Sequence, residues 1–279
     1  MKVSLGYWFY RLRSAWRWYR SARTRFDVHS PFLAEFIREV WRDDRYYAAF
    51  GKIRRVRKSW AAERGSRVKL LQLGAPSRTT RRAHRSPAAL VATNAVGERS
   101  GRLLFRLALW LRAARILEFG TNVGISTLYL HAADTRAELR TVEGNPAVAA
   151  LARRTFQRFG ASPRLQPACA RFGDWLDEQL PCLPVQDLIF IDGDHRYGPT
   201  LDYVRRLLPH TTARSVVVVA DIYWSAGMER AWAELRSWPE FTASVDVYHF
   251  GILFRRPELS GPHTALIRTR FKPWRVGFW

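Results

Sequence analysis

The sequence predicts an α/β fold: a doubly wound, mostly parallel sheet with an antiparallel edge hairpin, preceded by a helical N-terminal extension. Three observations predict it. From Ala114 onward, short apolar runs that each close on an acid or a glycine alternate with helical segments. The last two apolar runs, FTASVDVY and GILFRR, lie close enough in the chain to pair as a hairpin. Residues 1 to 100 show no such alternation and are dense in Arg, Trp and Tyr. On this reading the chain divides into a basic, aromatic-rich helical extension (1–100), a ligand-binding α/β domain (101–260) and a basic tail (261–279).

The elements follow in order. In the stretch from Gly6 to Phe26, Trp8, Leu12, Trp16 and Tyr19 recur at helical spacing, with Arg13, Arg17 and Arg20 near another face. Such a helix either covers the main domain or lies on anionic lipid. Ser30 followed by Pro31 is an N-cap with proline at the first helical position, so a helix runs from Pro31 to about Trp41. VKLLQLGAPSR, Val68 to Arg78, imitates a strand entering a glycine turn. Its single glycine is followed by Pro76 and arginines, and no nucleotide is assigned to it. GRLLFRLALWL, Gly101 to Leu111, reads as a buried helix. Beyond it ARILEFG, ELRTVEG, DLIFIDG and SVVVVAD are strands, and VAALARRTFQRFG, TLDYVRRLLP and GMERAWAELRSW are helices.

Composition narrows the classes. With 47% hydrophobic and 25% charged residues the chain has enough apolar material for a core. Cys169 and Cys182 make neither a metal-type CxxC nor a disulfide framework. No apolar run approaches the roughly 20 residues that cross a bilayer, and the N-terminus is too aromatic and arginine-rich for a signal peptide. These features predict a cytoplasmic protein, peripheral at a membrane if its first helix meets lipid. The 46 Lys+Arg against 24 Asp+Glu, formal net charge +22, predict an anionic partner: RNA, an anionic membrane surface or an acidic substrate.

The chemistry concentrates at strand ends. ILEFGTNVGIS places Glu118 at the end of one strand and Gly120 and Gly124 in the turn that opens the next helix. Glycines there let a ligand approach the backbone, and a helix N-terminus offers free N–H groups. The spacing is not the G-x-G-x-x-G of dinucleotide sites, and an acid beside the turn suits a ligand with an ammonium or sulfonium group. Glu143 closes the following strand about 20 residues on, where a ribose-binding acid is expected. LIFIDGDHRYGPT, Leu188 to Thr200, carries a third strand directly into Asp192, Asp194 and His195.

ILEFGTNVGIS, TVEGNP, LIFIDGDHRYGPTLDYV and VVVADIYWSAGMERAW resemble the motifs of class I S-adenosylmethionine-dependent methyltransferases, which have a Rossmann-like fold. They are most similar to a bacterial branch akin to the catechol and caffeoyl-CoA O-methyltransferases, over about Ala114 to Arg256; HSPF and GRLLFRL resemble the N-terminal part of that branch. The resemblance implies S-adenosylmethionine as cofactor, its methionine part held by Glu118, Gly120, Thr121, Gly124 and Ser126, its ribose by Glu143, with Asp192 beside it. It implies Asp192 as a Mg²⁺ ligand and His195, at the place of the family's lysine, as general base, a role an imidazole suits near neutral pH. Two more metal ligands are expected after the strand SVVVVAD, where the chain has Ala220-Asp221. Asp221 remains as a metal candidate, Ala220 has no ligating oxygen, and Asp194 is the substitute at hand.

The function these features imply is O-methylation of a small-molecule hydroxyl acceptor, with Tyr223 and Trp224 walling the acceptor pocket and a homodimer as the expected assembly. An RNA methyltransferase using the arginine-rich first hundred residues is the alternative, and a non-catalytic scaffold at a membrane or in a complex is the second. For Asp192 and Asp194 the competing role is to cap the helix that starts near Tyr197.

Overall fold

The computed structural model describes residues 5–63, 65, 67–71, 73, 84–259, 263–269 and 272. Gly74, Pro76 and Arg78, and most of the expected C-terminal tail, lie outside the described residues. The N-terminal part is helical: α1 (Leu5–Ser21), α2 (Pro31–Phe36, continued to Trp41 as a wider turn), α3 (Ala48–Ala61), α4 (Pro87–Thr93) and α5 (Glu98–Leu111). Ser30 caps α2 as its sequence predicts, its hydroxyl accepting from the Leu33 N–H at 3.5 Å. A two-residue ladder, β1 (Val68–Lys69) with β2 (His84–Arg85), sits among these helices.

The α/β part follows as β3 (Arg115–Phe119), α6 (Ile125–Ala133), β4 (Glu138–Glu143), α7 (Pro146–Phe159), β5 (Leu165–Cys169), α8 (Phe172–Gln179), β6 (Leu188–Ile191), α9 (Tyr197–Leu207), β7 (Val216–Ala220), α10 (Ala226–Leu235), β8 (Ala243–Asp246), β9 (Phe250–Phe254) and β10 (Thr264–Ala265). The sheet order is β10-β8-β9-β7-β6-β3-β4-β5. β3 to β7 are mutually parallel, and β9 runs antiparallel to both β7 and β8. The doubly wound sheet and the antiparallel hairpin are therefore as the sequence predicts. Two strands were not foreseen. β5 reads LQPAC, with a proline that only an edge position tolerates, and it occupies the edge beside β4. β10 pairs parallel to β8 and extends the sheet at its other edge.

Alternation along the central strands separates two cores. Ile116, Leu188, Phe190, Val216, Val218 and Ala220 face the layer built from α2 to α7. Leu117, Phe119, Ile189, Ile191, Val217 and Val219 face α8, α9 and α10. The N-terminal helices thus form one wall of the core. The link is explicit at Trp60 of α3, which is fully buried, lies against the Arg158 guanidinium at 3.8 Å and donates its indole N–H to Thr155 Oγ1 of α7 at 2.9 Å. Thr155 in turn donates to the Val123 carbonyl at 2.6 Å, in the turn between β3 and α6.

α1 docks on the α/β part through its polar face. Tyr10 and Ser14 donate to Glu229 Oε2 at 3.0 and 3.2 Å, Arg17 pairs with Glu229 Oε1 at 2.7 Å, and Trp18 meets the edge of Tyr248. The face that carries Trp8, Leu12 and Trp16 is turned away from the protein and exposed. Among the described residues no helix is long and apolar enough to cross a membrane.

Trp60→Ala is expected to lower unfolding free energy by about 3–5 kcal/mol, as for other large-to-small aromatic truncations in a core. Urea unfolding followed by far-ultraviolet circular dichroism should remain one transition; two separated transitions would show that the N-terminal helices and the sheet unfold apart.

Candidate functional site

The site forms where β3, β4, β6 and β7 end, the position at which an open α/β sheet binds ligands. Phe119 accepts from the Asp192 N–H at 2.7 Å and Val142 from the Gly120 N–H at 3.0 Å, so three strand ends are tied together. Gly120 has φ +101°, and a Cβ on it would lie 2.1 Å from the Asp192 carbonyl oxygen. Gly124, at φ +83°, is pressed against the Phe156 ring. Both are positions only glycine fills. Asn122, Asp194, His195 and Asp221 also take left-handed backbone, a concentration of strain typical of functional loops.

Two adjoining cavities meet over Gly120, Asn122, Asp192 and His195. The smaller, about 190 Å³, is bounded by the turn 120–123, Ser126, Asp221, Trp224 and the loop 93–96. The larger, about 500 Å³, reaches Glu143, Gly144, Phe172 and Tyr203. Glu143 presents its carboxylate there while accepting from the backbone N–H groups of Asn122 at 2.8 Å and Asn145 at 2.9 Å. Burial pushes its carboxyl up, and those N–H groups pull it back.

Glu118 sits deeper than the sequence suggests. It is fully buried behind the turn, and its Oε2 accepts from Thr127 at 2.5 Å and Thr141 at 2.6 Å. Its Oε1 has no hydrogen-bond partner, and burial raises its carboxyl. Thr121 is buried with its hydroxyl 2.6 Å from that of Thr141, and buried Ser126 lines the smaller cavity.

His195 Nε2 stands 3.7 Å from Asp192 Oδ1 and 3.8 Å from Asp221 Oδ2, with the Trp224 ring 6.5 Å from its own. Asp192 is pushed well up by burial and by the nearby Asp221 and Glu118 charges. Asp194 does not join this group. Its carboxylate is held by Arg196 and by the Tyr203 hydroxyl, 2.7 Å away, on the wall of the larger cavity. Neither Asp192 nor Asp194 caps α9, whose N-cap is Arg196. Tyr223 also departs from its expected place: its hydroxyl donates to Asp246 at 2.5 Å and its ring stacks on Tyr248, so Trp224 alone of the pair lines the cavity.

The donor set was tested against Mg²⁺. Asp192, His195 and Asp221 bring one ligand atom each within 4.8 Å of the others. Mg²⁺ takes near-ideal octahedral oxygen ligation, whereas this set holds two carboxylates and an imidazole nitrogen. Ala220, the expected third donor, is buried in the core opposite Phe250. These residues do not fit the magnesium site that the resemblance implies.

Sequence reasoning assigned nothing before residue 101, yet Thr93, Asn94, Ala95 and Val96 close one side of the smaller cavity. Asn122 Nδ2 donates to the Asn94 carbonyl at 3.3 Å. The only sequence signal was the break between the Pro87 helix and Glu98.

Residues 117–222 match the family model described as a methyltransferase domain. The chain is 32% identical over 146 residues to catechol O-methyltransferase of Mycobacterium tuberculosis, covering 51% of this chain and 64% of that protein. It is 36% identical over 138 residues to O-methyltransferase hkm8 of Aspergillus hancockii, covering 46% and 52%. The matched part therefore spans less than two thirds of either relative. Among solved structures it is similar to the O-methyltransferase TomG from Streptomyces achromogenes in complex with SAM, with TM-score 0.53, 19% identity, and coverage of 80% of this chain and 95% of that one. At that identity the likeness is one of fold.

Asp246, buried at the end of β8, supports the Tyr223 segment, and burial pushes its carboxyl up to about 6 although the bonds from Tyr223 and Tyr248 pull it down. Unfolded, an aspartate titrates at about 3.9. The folded state thus holds this proton more tightly, so its contribution to stability is complete below about pH 4 and lost as pH rises through about 6. Asp246→Asn should flatten the pH dependence of urea stability across that window; an unchanged slope would contradict it.

Proposed function

We propose that this chain, whose residues 117–222 carry a methyltransferase domain, is an S-adenosylmethionine-dependent O-methyltransferase acting on a small-molecule hydroxyl. The observation that carries the reading is the shared floor of the two cavities. There the left-handed Gly120 turn, the Glu143 carboxylate and the His195 imidazole face one volume.

The residues present fit the cofactor. The unpartnered Oε1 of Glu118 leaves an acceptor behind the turn, and the close approach of Gly120 to the Asp192 carbonyl sets the turn and the His195 segment on one cavity. Gly120, Thr121, Gly124 and Ser126 would border the methionine part, and Glu143 would take the ribose hydroxyls. When bound, S-adenosylmethionine supplies a methyl group on a positively charged sulfur. His195 would take the acceptor's proton at Nε2, which leaves the oxygen able to accept that methyl group. Asp192 and Asp221 flank the imidazolium so formed. Trp224 and the loop 93–96 hold the acceptor in line and keep water out. No step is assigned to a metal.

Calorimetric titration with S-adenosylmethionine should give micromolar binding, about −8 kcal/mol, unchanged by Mg²⁺. With catechol as acceptor, His195→Ala should reduce S-adenosylhomocysteine release by about 10²–10⁴-fold while leaving cofactor affinity intact. Loss of cofactor binding in that variant would refute the base; no binding by the folded parent protein would leave the scaffold reading.

The same protein is proposed to rest on an anionic lipid surface through α1. Trp8 is 59% exposed, Phe9 70%, Leu12 69% and Trp16 55%, all on the face opposite Glu229. Exposed Arg13 and Arg20 border that face, Arg23 and Arg25 follow it, and α1 contains no acid. Aromatic residues flanked by arginines are the composition of interfacial helices, and each cation near a charged leaflet contributes about 1 kcal/mol. The full chain should sediment with phosphatidylglycerol-containing vesicles at low salt, weakly with phosphatidylcholine alone, and Trp8→Ser with Leu12→Ser should cut binding by about tenfold or more. Vesicle binding indifferent to these changes, a dimer that they dissolve, or binding of mixed RNA in place of vesicles would overturn this.

A further inference from the structure

The Asp221 N–H bonds the His249 carbonyl at 2.7 Å, and His249 also lines another cavity, of about 370 Å³, outside the methyl-transfer site. Arg99, Leu103 and Arg106 of α5, spaced i, i+4, i+7, form one side of it, and Trp41, Arg268 and Tyr248 form others. Three guanidinium groups therefore converge on a largely apolar hollow.

Their countercharge is incomplete. Buried Asp43 lies 3.4 Å from Arg106, and it already serves Arg45 at 2.8 Å and the Tyr47 hydroxyl at 3.1 Å. Asp44 pairs with Arg268 at 3.2 Å from an exposed position. Arg99 has no acidic partner among the described residues. Arg106 is 6% exposed, its Nε makes the 3.4 Å ion pair with Asp43, a terminal nitrogen donates to the Arg45 carbonyl at 3.5 Å, and the Trp41 indole nitrogen is buried without a hydrogen-bond acceptor. Burial lowers the Arg106 guanidinium, Asp43 offsets this in part and Arg268 lowers it further. Three guanidinium groups that share one buried and one exposed carboxylate, beside a buried indole N–H, favour an anion that brings further acceptors.

We infer that this cavity is a binding site for a small aryl or alkyl carboxylate, its acid group against Arg99 and Arg106 and its hydrocarbon against Trp41, Leu103 and Tyr248. Planar guanidinium forks match a carboxylate with two parallel hydrogen bonds. The apolar walls favour an acid with a hydrocarbon body over a bare inorganic anion. The site stands independently of methyl transfer, because none of its side chains is assigned to the cofactor or the acceptor.

The test is calorimetric titration of the full chain with 3-phenylpropanoate, with its carboxamide and with inorganic phosphate. The acid should bind at least about tenfold more tightly than either comparator, the loss expected when a charge-assisted pair is removed. Arg106→Gln risks the fold because that side chain is buried, so the variants are Arg99→Gln, exposed in the first turn of α5, and Arg268→Gln. Each should weaken the acid by about tenfold and leave S-adenosylmethionine affinity unchanged. Equal binding of acid and amide would overturn the assignment, as would phosphate binding as tightly as the acid, competition between the acid and S-adenosylmethionine, or indifference to both variants.

Discussion

The approach of Gly120 to the Asp192 carbonyl is the constraint on which the site depends. The backbone after β3 must pass so close to the end of β6 that no side chain fits between them. That proximity puts the glycine turn and the Asp192–His195 segment in one cavity. Without it the two motifs would be neighbours in the sheet but would face separate volumes. The hydrogen bonds from Gly120 to Val142 and from Asp192 to Phe119 fix the closeness from either side. Since β4 ends at the same level, Glu143 meets the Asn122 N–H in the same place.

The first hundred residues are integral to that arrangement. Arg57 of α3 donates to the carbonyls of Val91, Ala95 and Val96, groups left open where α4 ends. In doing so it sets the loop that closes the smaller cavity. The route from Trp60 through Thr155 to Val123 pins the opposite side of the glycine turn. Part of the arginine content is thus engaged with the fold, on carbonyls and on carboxylates such as Glu63, Glu98 and Glu229. Arg13, Arg20, Arg23 and Arg25 are exposed on and after α1.

How much of this was legible in the sequence follows from the range of each interaction. β3, β4, β6 and β7 were readable because strands buried on both faces are continuous apolar runs. β5 was not, since an edge strand can carry Gln166 and Pro167 and keep no pattern. The glycines and Glu143 were readable because their roles are set within one turn. His195 and Asp192 were found at the right strand end, but the engagement of Asp194 depends on Tyr203 and Arg196, and no local pattern announces it. Tyr223 was placed in the cavity by adjacency to Trp224, whereas its partner Asp246 is 23 residues away. The loop 93–96 was invisible for the same reason: what positions it is Arg57, far off in the chain.

Ala220 shows how one position decides chemistry. Its side chain belongs to the face of β7 that packs toward the N-terminal helices, opposite Phe250, while Asp221 turns into the cavity on left-handed backbone. A carboxylate at 220 would have to enter that apolar layer unless a cation drew it out, at the cost of desolvating a charge. With alanine there, the layer is closed, and His195 comes to lie between the two remaining carboxylates instead of an ion. The left-handed backbone at Asp221 and His195 then holds an imidazole between two carboxylates. In the function proposed, such an arrangement would carry a proton from a bound hydroxyl, with the acids acting by electrostatics rather than by ligation.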